Sequence, residues 1–179
     1  VGNLPRHRAG AAEPDNCLVG RAVAGLERLV GHRAGQRVAA AVDGHRCLVG
    51  VDAVDTESYA SWLLFPRGLR DRGVTDTLCV TSDAHEGLRH AIEETFPDAA
   101  WQRCIVHLER NCCSLARTRH QRALVGQLLS AVFAERDPAL VRELYHLAAD
   151  EVGAICPAAG ELLEDAEADA LAYLDFPYE

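Results

Sequence analysis

Apolar and polar positions along the 179-residue chain change period twice, and the changes divide it into three stretches. Residues 1–36 are dominated by Gly, Arg and Ala, with only a faint helical spacing between Val19 and Val30, and are read as poorly organised. Arg37–Val42 and Cys47–Val51 are short apolar runs on either side of Asp43-Gly44, a pair suited to a tight turn, so they predict a β-hairpin. Asp55–Ser58 supplies a helix start and Tyr59, Trp62, Leu63 and Leu69 its apolar side, with Pro66 and Gly68 expected to end or kink that helix early. Leu78, Cys79 and Val80 form a buried strand. After it, Ala84, Leu88, Ala91, Ile92 and Phe96 recur at helical spacing until Pro97-Asp98. Trp101–Cys104 begins one more short extended element.

Beyond that point the period is helical throughout. Leu124, Val125, Leu128, Leu129, Val132 and Phe133 form one stripe. Asp137-Pro138 is an N-cap followed by proline at the first helical position, opening a helix with Leu140, Val141, Leu144, Tyr145 and Ala148 inward. Pro157 opens a last helix with Leu162, Leu163, Ala166, Ala170 and Leu174 on one face. Its other face carries Glu161, Glu164, Asp165, Glu167 and Asp169. The expected architecture is an α/β core over residues 37–120 followed by an all-helical segment over residues 121–179.

Composition refines this picture in four ways. No apolar run approaches a membrane span and no leader-like segment opens the chain, so a cytoplasmic protein without a membrane partner is expected. Seven cysteines without a CxxC pair point to a reduced chain rather than a disulfide scaffold. The chain opens on Val and contains no Met, which fits an alternative start codon or a piece of a longer chain. Charge is uneven. Residues 1–120 carry fifteen Arg and fifteen acidic residues, whereas residues 121–179 carry three Arg and twelve acidic residues, the whole of the net −9. A nucleic-acid surface is therefore expected in the first two thirds and not on the acidic tail.

The candidate chemistry gathers between Thr77 and Asn111. Asp83 stands where a strand ends and a helix begins, an edge at which α/β proteins build ligand sites. It reads either as the N-cap of the following helix, with Glu86 completing a capping box, or as a hard oxygen ligand for Mg²⁺ that needs further carboxylates. Cys104 and His107, spaced Cys-x-x-His, could form half of a zinc site extended by Cys112 or Cys113. Trp101 reads as a core aromatic more than a stacking platform, and Arg103, Arg110 and Asn111 are candidate phosphate contacts. No Gly-rich phosphate loop or GxSxG elbow is present.

Taken together, SDAHEGLRHAIEETFPDAAWQRCIVHLERN (residues 82–111) resembles the signature of bacterial Mutator-type insertion-sequence transposases. ESYASWLLFPRGLRDRG resembles that family's helix before the second acidic strand, and EDAEADALAYLDFPYE the close of its helical insertion. The resemblance implies an RNase H-like fold and a DDE enzyme. Its three carboxylates hold two Mg²⁺ ions for DNA strand cleavage and transfer between element ends and target, in a homo-oligomer working at the nucleoid. Asp83 matches the second carboxylate, and Cys104 and His107 match an element beside the metal site.

Two features depart from the family pattern. No Leu-Asp-Ala-x-Tyr strand for the first carboxylate precedes Val38; Asp15 lies at a similar distance upstream of Asp83, and Asp52 is the other substitute considered. The Asn-x-x-Glu-Arg motif of the third carboxylate does not occur before Glu179. The expectation is a transposase fragment that is inactive by itself. The alternatives are a non-catalytic DNA-binding or assembly module and a small structural zinc protein.

Overall fold

A computed structural model of the protein describes residues 22–25, 35–41, 46–52 and 59–176, the first three ranges as backbone. Five strands form one mixed sheet: β1 (Ala22–Gly25), β2 (Gly35–Ala41), β3 (Arg46–Asp52), β4 (Thr77–Ser82) and β5 (Ala100–Arg103). Their order is β3-β2-β1-β4-β5. β2 runs antiparallel to both β1 and β3, while β1, β4 and β5 are parallel. The expected hairpin is present as the β2–β3 pair, with a register shift between Arg37 and Ala39; its turn at Asp43-Gly44 lies outside the described residues. The stretch 1–36, read as poorly organised, contains β1, which pairs with β2 on one side and β4 on the other. Four residues, Ala-Val-Ala-Gly, are too few to show a two-residue period, so the strand is specified by its neighbours rather than by its own pattern.

α1 (Tyr59–Asp71) corrects a second expectation, because it runs through Pro66 and Gly68 without ending. Proline inside a helix costs about 3 kcal/mol. Trp62, Phe65 and Leu69 on the same helix are buried against Leu88, Ala91, Ile92 and Phe96. Each such side chain contributes roughly 1.5–3 kcal/mol, so their sum outweighs the proline. The helix stops where the backbone can turn left-handed: Gly73 has φ 99°. There the Val74 amide bonds the Leu69 carbonyl and the Gly73 amide that of Arg70. The start signal at residues 55–58 lies outside the described residues.

α2 (Glu86–Thr95) packs on α1, and Val80 and Trp101 from the sheet complete this core. The second core is helical: α3 (Ile105–Leu115), α4 (Arg119–Ala134), α5 (Pro138–Ile155) and α6 (Pro157–Ala170) bury Leu108, Cys112, Val125, Leu129, Val141, Tyr145, Val152 and Leu163 together. α3, placed with the sheet by its sequence position, thus packs its buried side chains into the helical core. Thr118 and Gln121 form a capping box on α4, and Asp137 caps α5 through the amides of Ala139 and Leu140, as its sequence predicts. Leu140, expected inward, is exposed, because it lies one position off the stripe formed by Val141, Tyr145, Ala148 and Val152. The Tyr145 hydroxyl donates to the Leu163 carbonyl at 2.7 Å and ties α5 to α6.

After α6 the chain returns to the sheet. A 3-10 turn, Ala172–Asp175, lies against β5. The Gln102 amide donates to the Ala170 carbonyl at 2.8 Å, and its oxygen accepts from the Tyr173 amide at 2.7 Å. Among the described residues, no helix is long and apolar enough to cross a membrane.

Candidate functional site

The parallel β4–β5 ladder sets the geometry around Asp83. Ser82 is opposite Arg103, and one further bond, from the Cys104 amide to the Ser82 carbonyl at 2.7 Å, extends the ladder past the last strand residue. Asp83 and Cys104 are therefore neighbours at the sheet edge, about 4.8 Å apart as adjacent strands are. Cys104 is the N-cap of α3, and His107 sits in that helix's first turn. Asp83 thus stands one strand over from the start of α3, the helix whose first turn carries His107. The buried Ser82 hydroxyl accepts from Trp101 Nε1 at 2.9 Å and donates to the Asp83 carbonyl at 2.8 Å, which fixes the backbone at Asp83 from below.

The start of α2 also excludes one reading of Asp83. β4 ends at Ser82 and α2 begins only at Glu86, with His85, in extended backbone, as N-cap and no side-chain cap bond. The Asp83–Glu86 capping box is not formed. Three ring or guanidinium nitrogens near this edge, His85 Nδ1, His107 Nδ1 and Arg103 Nε, are buried without a hydrogen-bond partner. Leaving such a group unmatched costs about 1–3 kcal/mol each, an expense that folded proteins concentrate at functional sites. The His85 ring rests 6.0 Å from that of Trp62.

Trp101 is buried, and the Arg89 guanidinium lies 4.5 Å over its ring, so it is a core aromatic with no free face for stacking. Of the candidate phosphate contacts, Arg110 and Asn111 are exposed on α3, while Arg103 is half-buried. The Arg103 charge acts on Cys112 and Tyr145 inside the helical core, opposing the rise that burial gives both groups; the Cys112 thiol is nevertheless pushed up to about 12. Cys112, the residue a zinc site would recruit, is fully buried there beside the Ala159 carbonyl. The acidic face of α6 is not wholly solvated: Asp169 pairs with Arg89 at 3.0 Å and Glu167 with His146 at 2.7 Å.

The donor set does not make a metal pair. Among the described residues, no three His, Cys, Asp or Glu side chains converge on a point that could hold an ion. β1, the neighbour of β4, carries no carboxylate in Ala22–Gly25. Asp52 ends β3, three strands from β4, a separation of about 14 Å, too wide for ions that sit roughly 4 Å apart. Asp15 lies outside the described residues. Sequence reasoning missed Gln102, Ser82 and Arg89, which hold the edge in place through polar contacts. Only the Trp-Gln-Arg-Cys wording hinted at them, because a period of two cannot separate a buried amide from an exposed one.

Comparison with known proteins agrees with the signature. The model of the family described as "Transposase, Mutator family" matches residues 31–179. The transposase for insertion sequence element IS1081 of Mycobacterium tuberculosis is 37% identical over 135 residues, covering 75% of this chain and 32% of that protein. The transposase for IS256 in transposon Tn4001 of Staphylococcus aureus is 35% identical over 101 residues, covering 56% and 26%. That for ISRM5 of Rhizobium meliloti is 41% identical over 78 residues, covering 44% and 20%. The chain spans a third or less of the length of these curated relatives.

Proposed function

The chain belongs to the Mutator family of transposases, and from that premise we propose that it is the sheet-and-insertion part of a DDE, RNase H-like catalytic core, with Asp83 as its strand-end carboxylate. The strand order β3-β2-β1-β4-β5, with only β2 reversed, supports the RNase H-like reading. The observation that carries the proposal is the juxtaposition of Asp83, Cys104 and the first turn of α3 at the C-terminal edge of that sheet. The substrate is DNA, at element ends and target, and the working form of the intact enzyme is a homo-oligomer.

In such an enzyme, divalent magnesium supplies a Lewis acid for in-line displacement at phosphorus. Here the residues described offer one carboxylate toward that role, and a lone carboxylate holds Mg²⁺ weakly because the ion dehydrates reluctantly. We therefore derive no cleavage step for this polypeptide alone, and expect it not to nick DNA. What its own residues do is hold Asp83 rigidly: the ladder bond at Cys104 and the Ser82–Trp101 contact leave its backbone little freedom.

The test is a chimera in which this chain replaces the matched segment of the Mycobacterium tuberculosis relative, assayed for excision of that relative's element. Excision supported by the chimera is expected to drop by at least ~100-fold in Asp83→Asn, since removing a metal-holding carboxylate removes transition-state stabilisation. Excision at an unchanged rate in Asp83→Asn would refute the assignment.

A further inference from the structure

A cationic corner borders the acidic third of the chain. Residues 110–122, which span the end of α3, the connection and the first turn of α4, contain Arg110, Arg117, Arg119 and Arg122 and no Asp or Glu. From residue 123 to 176 there are two Arg and eleven acidic residues, so this corner is an island in a negative surface. All four guanidinium groups are on exposed residues, as is His120 between them. Arg67 pairs with Glu94, Arg89 with Glu93 and Asp169, and Arg142 with Asp175, while Arg70, Arg72, Arg103 and Arg136 form no ion pair among the described residues but are scattered rather than clustered. None of the four at the corner has a carboxylate partner among the described residues. Arg122 alone is anchored, its Nε donating to the Ala116 carbonyl at 3.0 Å.

The corner also has relief. Arg117 and Gln121 share a cleft of about 500 Å³ with Leu115, Ile155, Pro157 and Ala158, so a charged rim stands over a partly apolar floor. An unneutralised cationic rim on a net-negative protein is an unfavourable arrangement for solubility, which charges of both signs interspersed serve better. It suits a polyanion whose charges are closely and regularly spaced, as in a DNA backbone with one charge per ~1.7 Å of duplex.

We propose that the α3–α4 corner is a DNA-backbone contact surface, engaging phosphates through Arg110, Arg117, Arg119 and Arg122 without reading sequence. This rests on the reading of the chain as part of a DNA-processing enzyme, but on a surface separate from Asp83. Most protein–DNA hydrogen bonds go to the backbone and fix position rather than sequence. The corner would hold flanking DNA while the sheet edge faces the strand to be cut. Arg110, Arg117 and Arg119 lie in the first two thirds of the sequence, where a nucleic-acid surface is expected, and Arg122 carries it to the start of the acidic segment.

The test is binding of a fluorescent 30-base-pair duplex of arbitrary sequence by the 179-residue chain, followed by anisotropy as salt is raised from low ionic strength. Three to four phosphate contacts predict a log–log slope near −3, because each contributes about −0.9. Arg117→Ala with Arg119→Ala should bring the slope to between roughly −1 and −2 and weaken binding more than tenfold at ~50 mM salt, with unchanged circular dichroism. Neither side chain makes a hydrogen bond among the described residues, so the fold should survive. Arg142→Ala, which removes a paired arginine, should leave the slope unchanged. Absence of binding at low salt, or a slope indifferent to the double substitution, would overturn the proposal. Anisotropy reads duplex binding without strand cleavage, so a failure here is separable from a failure of the chimera's excision test.

Discussion

Two glycines face each other where α5 turns into α6, and the structure assigns opposite signs to the same substitution at each. A Cβ built on Gly160 would lie 2.6 Å from Gly153 Cα and 3.1 Å from Gly153 N, both backbone atoms that cannot move aside. A Cβ on Gly153 would meet nothing closer than Gly160 Cα at 3.8 Å, ordinary van der Waals contact. Glycine inside a helix costs roughly 0.5–1 kcal/mol relative to alanine, which Gly153→Ala should recover. Gly160→Ala gains the same amount but overpacks the α5–α6 seam, at a cost of about 1–3 kcal/mol, so its net effect is destabilising by about 1–2 kcal/mol. With a urea slope of about 2 kcal/mol per molar, the midpoint should rise by roughly 0.3 M for Gly153→Ala and fall by roughly 0.5–1 M for Gly160→Ala. Equilibrium unfolding followed by far-ultraviolet circular dichroism reads both. Equal signs for the two variants would show that the helices do not approach as closely as described.

Two further outcomes follow from buried polar groups. Burial pushes the Cys79 thiol up to about 11 and the Cys112 thiol up to about 12, so both stay protonated in the folded chain after their unfolded counterparts, near 9, have ionised. Raised folded values stabilise fully below pH 9 and lose that contribution as pH rises toward 11–12, so the urea midpoint should be flat from pH 7 to 8 and then fall. Cys79→Ala with Cys112→Ala should flatten that decline, and an unchanged decline would count against the burial of these thiols. Gln102→Leu should remove the bonds to the Ala170 carbonyl and the Tyr173 amide at a cost of about 1–3 kcal/mol. Hydrogen exchange should quicken most at Tyr173, and an unaltered Tyr173 rate would contradict the clamp.

What was legible in the sequence was whatever repeats along one element. The stripes of α4, α5 and α6, the caps at Asp137 and Pro157, and the strand–Asp83–helix step all follow local periodicity and end signals. Position across elements was not legible. β1 carries no pattern of its own and is held by its partners on both sides. Pro66 marks a break by local rules, yet the α1–α2 core overrides it. α2 starts after His85 rather than at Asp83, and the ladder bond from Cys104 to the Ser82 carbonyl just before Asp83 depends on β5, some twenty residues away. At the site, Asp83, Cys104 and His107 were visible as a motif, whereas the polar ties at Ser82, Trp101 and Gln102 required the fold.

The central claim is that the sheet edge at Asp83 is where this chain receives a divalent ion. Amide NMR spectra of the 179-residue polypeptide titrated with Mn²⁺ test it directly, because paramagnetic broadening reports distance from the ion. Broadening is predicted to centre on Ser82, Asp83, Cys104 and the first turn of α3, to require high metal concentration as a lone carboxylate implies, and to vanish in Asp83→Asn. Broadening centred instead on Glu161, Glu164 and Asp165 of α6, and persisting in Asp83→Asn, would contradict the account.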